Sequence, residues 1–156
     1  MVYKDIIWEN HLINFFQITN KGVFILMLKK EELKSIMKQW SVLFVDDESF
    51  VVETMQELLP FLFKEAFFAT NGIEGLEKFK NNKIDLVITD ISMPKMNGID
   101  MAKQIQQLNS KMKIICISGH NEKDLLAPMK EITQHIIIKP ISTTTLYDTI
   151  SKIVND

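Results

Sequence analysis

The sequence predicts an α/β domain in which a five-stranded parallel sheet is covered by helices on both faces. Three observations predict it. From Ser41 onward, short aliphatic runs alternate with stretches of helical periodicity. The runs Ile84-Asp85-Leu86-Val87-Ile88 and Ile136-Ile137-Ile138 are nearly continuous in apolar residues, as strands buried on both faces are. The polar residues with the most evident chemistry each end or follow such a run, and in a parallel sheet that gathers them at one edge.

The elements follow in order. Val42 to Val45 is the first strand, ending at Asp46 and Asp47, and Val51, Met55, Leu58, Leu59 and Leu62 then repeat at helical spacing. Ala66 to Ala69 is the second strand, closed by Asn71-Gly72, before a helix over Gly72 to Phe79 with Ile73, Leu76 and Phe79 on one face. Ile84 to Thr89 is the third strand, with Asp90 at its end. The loop Ile91 to Asn97, containing Pro94, leads into a helix through Leu108. Ile114 to Ser118 is the fourth strand, and Asn121 to Lys130 is a weaker helix disturbed by Pro128. Ile136 to Ile138 is the fifth strand, ending at Lys139-Pro140, and Ser142 caps a last helix to about Val154.

At 156 residues, 46% hydrophobic and 24% charged, the chain suits one domain with a short appendage and needs no disulfide to build a core. The one cysteine, Cys116, sits within Ile114-Ile115-Cys116-Ile117 and reads as a small core residue rather than a redox thiol. The longest strongly apolar run, Val23 to Leu28, is far short of a membrane span, and Asp5, Glu9 and Asn10 interrupt any early signal-like stretch. The expected location is the cytoplasm, with no membrane insertion. A net charge of −2 argues against direct nucleic-acid binding, and so does a basic complement made wholly of lysine.

Asp46, Asp47 and Asp90 at one sheet edge would repel one another unless a cation shares the site. Magnesium, held by a few carboxylates, is the usual answer to such a set. One carboxylate then serves as nucleophile, because aspartate forms acyl-phosphate intermediates. Phosphoryl transfer needs positioning and charge neutralisation, and Lys139, the Ser118 hydroxyl and a divalent metal supply them. Each element also has a bland reading. Asp-Asp after a strand is commonly a turn or helix cap, Asp90 a loop residue, Lys139-Pro140 a solvated strand end and Ser118-Gly119 a turn. Their joint occurrence at successive strand ends favours the chemical reading.

These residues resemble the receiver domain of bacterial response regulators. The matching stretches are Val42-Leu43-Phe44-Val45-Asp46-Asp47-Glu48, Asp85-Leu86-Val87-Ile88-Thr89-Asp90-Ile91-Ser92-Met93-Pro94 with Asn97-Gly98, Ile117-Ser118-Gly119 and Lys139-Pro140-Ile141. The resemblance covers residues 41–156 and implies a doubly wound, flavodoxin-like fold. It implies a single-domain phosphorylation switch rather than a turnover enzyme, with Asp90 as phosphoacceptor. Mg2+ would be held directly by Asp47, Asp90 and the backbone carbonyl of Ser92, and through water by Asp46. Lys139 would pair with the phosphoryl oxygens, and Ser118 would hydrogen-bond them after modification. The donor would be a sensor histidine kinase or a histidine phosphotransfer protein, and the output a downstream protein target. A cis bond before Pro140 is also implied.

One departure stands out. The family's switch position, three residues before the lysine, usually holds Tyr or Phe, and here it is Ile136, preceded by His135. Isoleucine has no ring to rotate, so phosphate acceptance is expected to survive while the usual aromatic relay is put in doubt. Ser92 and His120 occupy positions at which the family tunes access of the hydrolytic water.

Residues 1–40 lie outside the resemblance, as an N-terminal extension with six lysines against four acidic residues. The segment is too apolar for an ordinary disordered tail. Lys29 to Trp40 has an amphipathic helical pattern, with Leu33, Ile36, Met37 and Trp40 on one side. Three readings compete: packing on the receiver or in a homodimer, recognition of a partner, or a working start at Met27. No segment after the receiver is long enough for a further output domain. Two rivals differ in class. A Mg2+-dependent phosphohydrolase would need a general acid/base aspartate where Ser92 stands. A degenerate receiver that binds partners constitutively is opposed by the intact Asp46, Asp47, Asp90, Ser118 and Lys139.

Overall fold

The computed structural model describes residues 30–119 and 123–155. The chain divides into two units, with the boundary between Ile36 and Met37. Residues 30–37 are helical, and the Lys34 ammonium lies 2.7 Å from the Glu31 carboxylate one turn earlier. The helix stops short of the expected Trp40, whose N–H instead donates to the Met37 carbonyl at 3.0 Å. Trp40 thereby leaves the helical path, and the Lys113 ammonium stands 5.5 Å from its ring centre, a cation–π distance. Residues 1–29 of the expected extension lie outside the described residues.

The second unit runs β1 (Ser41–Val45), α1 (Ser49–Leu62), β2 (Glu65–Ala69), α2 (Gly72–Asn81), β3 (Leu86–Asp90), α3 (Gly98–Leu108), β4 (Lys113–Ser118), α4 (Lys123–Lys130), β5 (Ile136–Ile138) and α5 (Thr143–Asn155). The strands form one sheet in the order β2-β1-β3-β4-β5, and every pair is parallel. All five residues of β1 and of β3 are buried, as their largely apolar composition suits strands covered on both faces. After β2 the chain crosses to the other side of β1, which puts the reversal of strand order between β1 and β3. Such a reversal leaves a crevice beyond the carboxyl ends of those two strands.

Local chemistry explains the helix starts. Asn71 caps α2 by accepting from the N–H groups of Ile73 and Glu74, both at 3.1 Å, while Glu74 reaches back to the Thr70 N–H at 2.9 Å. That backbone hydrogen bond holds the Glu74 carboxyl below the usual glutamate range despite partial burial. Ser142 caps α5 as expected, its hydroxyl accepting from the Thr145 N–H at 3.1 Å. α4 continues through Pro128 for two more residues.

Two expectations are refined and a third is met. β3 begins at Leu86, because Asp85 is engaged at the strand entrance, donating its N–H to Ser41 and accepting from the Ser41 N–H. Ile73 is 53% exposed, so α2 turns Gly72, Gly75 and Leu76 to the core in its place. Cys116 is fully buried among Val45, Val87, Ile99 and Met129, and burial pushes its thiol far up, the state of a packing residue. No helix among the described residues is long and apolar enough to cross a membrane.

Candidate functional site

The two central strands deliver two buried carboxylates to the crevice. Asp46 follows β1 directly and is fully buried, while Asp90 ends β3 and is 4% exposed. β1 and β3 pair Val45 with Thr89, so the two aspartates leave the sheet at the same level. Asp46 is fixed by the Glu48 N–H, which donates to its Oδ1 at 2.9 Å. Asp90 accepts from the Ser92 N–H at 3.4 Å, a long contact, and its carbonyl accepts from the Thr89 hydroxyl at 2.9 Å.

β4 and β5 bring the remaining parts. Ser118 ends β4, fully buried, its hydroxyl donating to the Gly119 carbonyl at 3.1 Å. The Lys139 N–H donates to the Ser118 carbonyl at 2.9 Å, which extends the β4–β5 ladder by one residue and aligns the lysine with the edge. The Lys139–Pro140 bond is cis, as the resemblance implied. From there the Lys139 ammonium donates to Asp90 Oδ2 at 2.7 Å and to Glu48, and stands 3.3 Å from Asp46 Oδ2.

Burial opposes the Lys139 charge, but hydrogen bonds to Asp90 and Glu48 and the charges of Asp90 and Asp46 outweigh it, so the ammonium is held above its ordinary pKa. For Asp46 it is the neutral form that gains. Burial raises its pKa, the Asp90 charge pushes the same way, and the Glu48 N–H and Lys139 only partly offset them. Its buried Oδ2 is left without a well-formed hydrogen bond, although the Lys139 ammonium stands 3.3 Å away as an ion pair. A buried carboxylate oxygen without a partner costs stability. Asp46, Glu48 and Asp90 each bring a carboxylate oxygen within 4.8 Å of the others. Hard oxygen donors converging around an orphaned anion suit a divalent cation such as Mg2+.

The residues expected from sequence separate into two groups. Asp46, Asp90, Ser118 and Lys139 come together at the crevice. Asp47 is exposed and outside the group of converging carboxylates; it lines a neighbouring cavity of about 370 Å³ with Ile91, Ser92, Met93, Pro94, Asn97 and Ile99. Ile136 pairs with Cys116 and packs against the core, and His135 beside it is partly exposed. His120 lies outside the described residues. Sequence reasoning assigns Glu48 no role, although a third carboxylate directly after Asp-Asp at a strand end was a usable signal. Gly98, matched only as part of Asn97-Gly98, likewise receives no role, although it abuts the Asp90 backbone.

Comparison with known proteins agrees with this geometry. The model of the response regulator receiver domain matches residues 42–151. The chain is similar to the chemotaxis protein CheY of Thermotoga maritima, 33% identical over 114 residues that span 72% of this chain and 95% of that protein. It is also similar to CheY of Bacillus subtilis, 30% identical over 116 residues, covering 73% of this chain and 97% of the relative. Among solved structures, a response regulator receiver domain protein from Clostridium thermocellum matches with a TM-score of 0.68 at 32% identity, over 74% of this chain and 94% of that one. A chain of the CheX-CheY-BeF3-Mg2+ complex from Borrelia burgdorferi matches with a TM-score of 0.66 at 28% identity, over 74% and 89%. The chain belongs to the response regulator receiver domain family, the phosphoacceptor switches of two-component signalling.

Proposed function

We propose that Asp90 is the phosphoacceptor of a receiver formed by residues 41–156, charged by a sensor histidine kinase or a histidine phosphotransfer protein in the cytoplasm. The observation that carries the reading is the Lys139 ammonium 2.7 Å from Asp90 Oδ2, at the mouth of the crevice between β1 and β3. An Asp90 oxygen attacks the phosphorus of the donor, forming an O–P bond as the N–P bond breaks and its electron pair stays on the imidazole nitrogen. Lys139 neutralises the phosphoryl oxygens, and the Ser118 hydroxyl turns from the Gly119 carbonyl to donate to them. Asp47, Asp90 and the Ser92 carbonyl would hold Mg2+, with Asp46 assisting through water, a reading supported by the family resemblance and by the cavity that Asp47 and Ser92 share. When bound, the ion supplies charge neutralisation for the transferring group. The chain accelerates its own phosphorylation and hydrolysis but turns over no separate substrate, and Ser92 and His120 tune the hydrolysis.

Modification adds charge at Asp90 and shifts a two-state equilibrium of the loops after β4 and β5 toward a form that a downstream protein, or a second copy of the chain, recognises. Ile136 carries no ring, so this shift proceeds without an aromatic relay. The test is intact-mass detection of phosphorylation by acetyl phosphate with Mg2+, repeated with a histidine-kinase donor. A metal-dependent adduct on wild type, absent from Asp90→Asn, is expected. Failure with both donors would hand the lead to a constitutive partner-binding role.

A further inference from the structure

The three carboxylates around Lys139 are not equivalent. The Asp46 and Asp90 side chains are 0% and 5% exposed, whereas that of Glu48 is 60% exposed and reaches the cluster through Lys139. Glu48 is the N-cap residue of α1, yet its side chain makes no capping hydrogen bond to the helix. A carboxylate at the position that ordinarily satisfies helix N–H groups is turned instead onto the lysine. An ammonium has three N–H donors, and here three carboxylates surround it. A phosphoryl group arriving on Asp90 needs that ammonium as well. It also replaces a single negative charge with a group carrying nearly two. Of the three carboxylates, only Glu48 can return to water without uncovering a buried site.

We propose that Glu48 is an internal stand-in for the phosphoryl group: it occupies Lys139 in the unmodified chain and gives the ammonium up when Asp90 is phosphorylated. Glu48 is therefore a positioning residue that weakens apparent affinity for the phosphodonor and leaves the chemical step unchanged. The inference rests on the reading of Asp90 as phosphoacceptor. Its departure would also alter the apolar groove of about 490 Å³ that Glu48 lines with Phe50, Thr54, Lys139, Pro140 and Ile141.

The experiment measures phosphorylation rates by intact mass across a range of acetyl phosphate, at Mg2+ shown to be saturating for each variant. Three variants join wild type. Glu48→Gln removes the charge, Glu48→Asp keeps it but is one methylene short of Lys139, and Glu53→Gln makes the same charge change on exposed α1. Both Glu48 variants are expected to lower the half-saturating acetyl phosphate by about 3–10-fold with little change in maximal rate, the signature of relieved competition in binding. Glu53→Gln is expected to match wild type. In a crystal of wild type loaded with beryllofluoride and Mg2+, the Glu48 carboxylate should stand beyond the ~4 Å limit of an ion pair with Lys139. Unchanged half-saturation in the Glu48 variants, a shift confined to Glu48→Gln, or Glu48 still on Lys139 in that crystal would each overturn the proposal. No adduct on wild type with either acetyl phosphate or a histidine-kinase donor would instead sink the reading of Asp90, and this inference with it.

Discussion

A β-carbon on Gly98 would stand 1.9 Å from the carbonyl oxygen of Asp90. The same glycine donates its N–H to the Ile91 carbonyl at 2.9 Å, so α3 begins directly against the end of β3. The obstacle is backbone and cannot swing aside. Gly98→Ala is expected to cost about 1–3 kcal/mol or more, as overpacking does, and to slow phosphorylation by displacing Asp90. Gly75→Ala is the comparison, because its β-carbon would meet side chains rather than backbone, the flexible Met101 sulfur at 2.6 Å and a Val45 methyl at 3.0 Å. Urea unfolding should show the larger loss for Gly98→Ala; equal losses would mean that the strand end yields as easily as a methionine.

Asp46→Asn should stabilise the metal-free chain, by on the order of 1 kcal/mol, as relief of a strained functional site commonly does. Burial and Asp90 raise the Asp46 pKa, so the ionised group opposes folding above its folded-state value. As pH falls through that value toward the ordinary aspartate range the proton removes the penalty, and wild type should converge on the variant. Millimolar Mg2+ should raise the melting temperature of wild type and leave Asp46→Asn nearly unmoved. A variant less stable than wild type in chelator would refute the repulsion argument.

Lys139→Met removes the only cation within reach of the three carboxylates among the described residues. The expected cost at neutral pH is about 1–3 kcal/mol, between an exposed pair and a fully buried one. Because the folded state raises the Lys139 pKa, its contribution is complete below the ordinary lysine value of about 10.4 and declines as pH rises through the folded value. The stability difference between wild type and variant should therefore be flat from pH 8 to 10 and shrink above it. A gap that widens in alkali would contradict the assigned ion pairs.

Thr133 ties the approach to β5 onto β4. Its buried hydroxyl donates to the Ile114 carbonyl at 2.7 Å and accepts from the His135 N–H at 3.0 Å. Thr133→Val keeps the shape and loses both bonds, an expected loss of about 1–3 kcal/mol. Hydrogen exchange of the His135 amide should accelerate in the variant; unchanged protection would show that the backbone finds another acceptor.

Much of the architecture was legible before any coordinates. β5 begins and ends at the expected residues, and Asp46, Asp90, Ser118 and Lys139 meet because parallel strands carry their carboxyl ends to one edge. Periodicity reports which residues share a face and how long an element is, but not what lies opposite. Ile73 therefore fitted a helical stripe yet faces solvent, and Trp40 fitted the amphipathic pattern yet sits beyond the helix end.

What remained for the tertiary structure was contact between residues distant in sequence. Glu48 and Lys139 are 91 positions apart, and no spacing rule links a residue that opens α1 to one that follows β5. The order β2-β1-β3-β4-β5 and the exposed position of Asp47 beside buried Asp46 also arise only when the sheet assembles. Residue type and strand position are local properties written along the chain. Which charges share one ammonium depends on packing, which brings their atoms within a few ångströms and removes the water that would otherwise screen them.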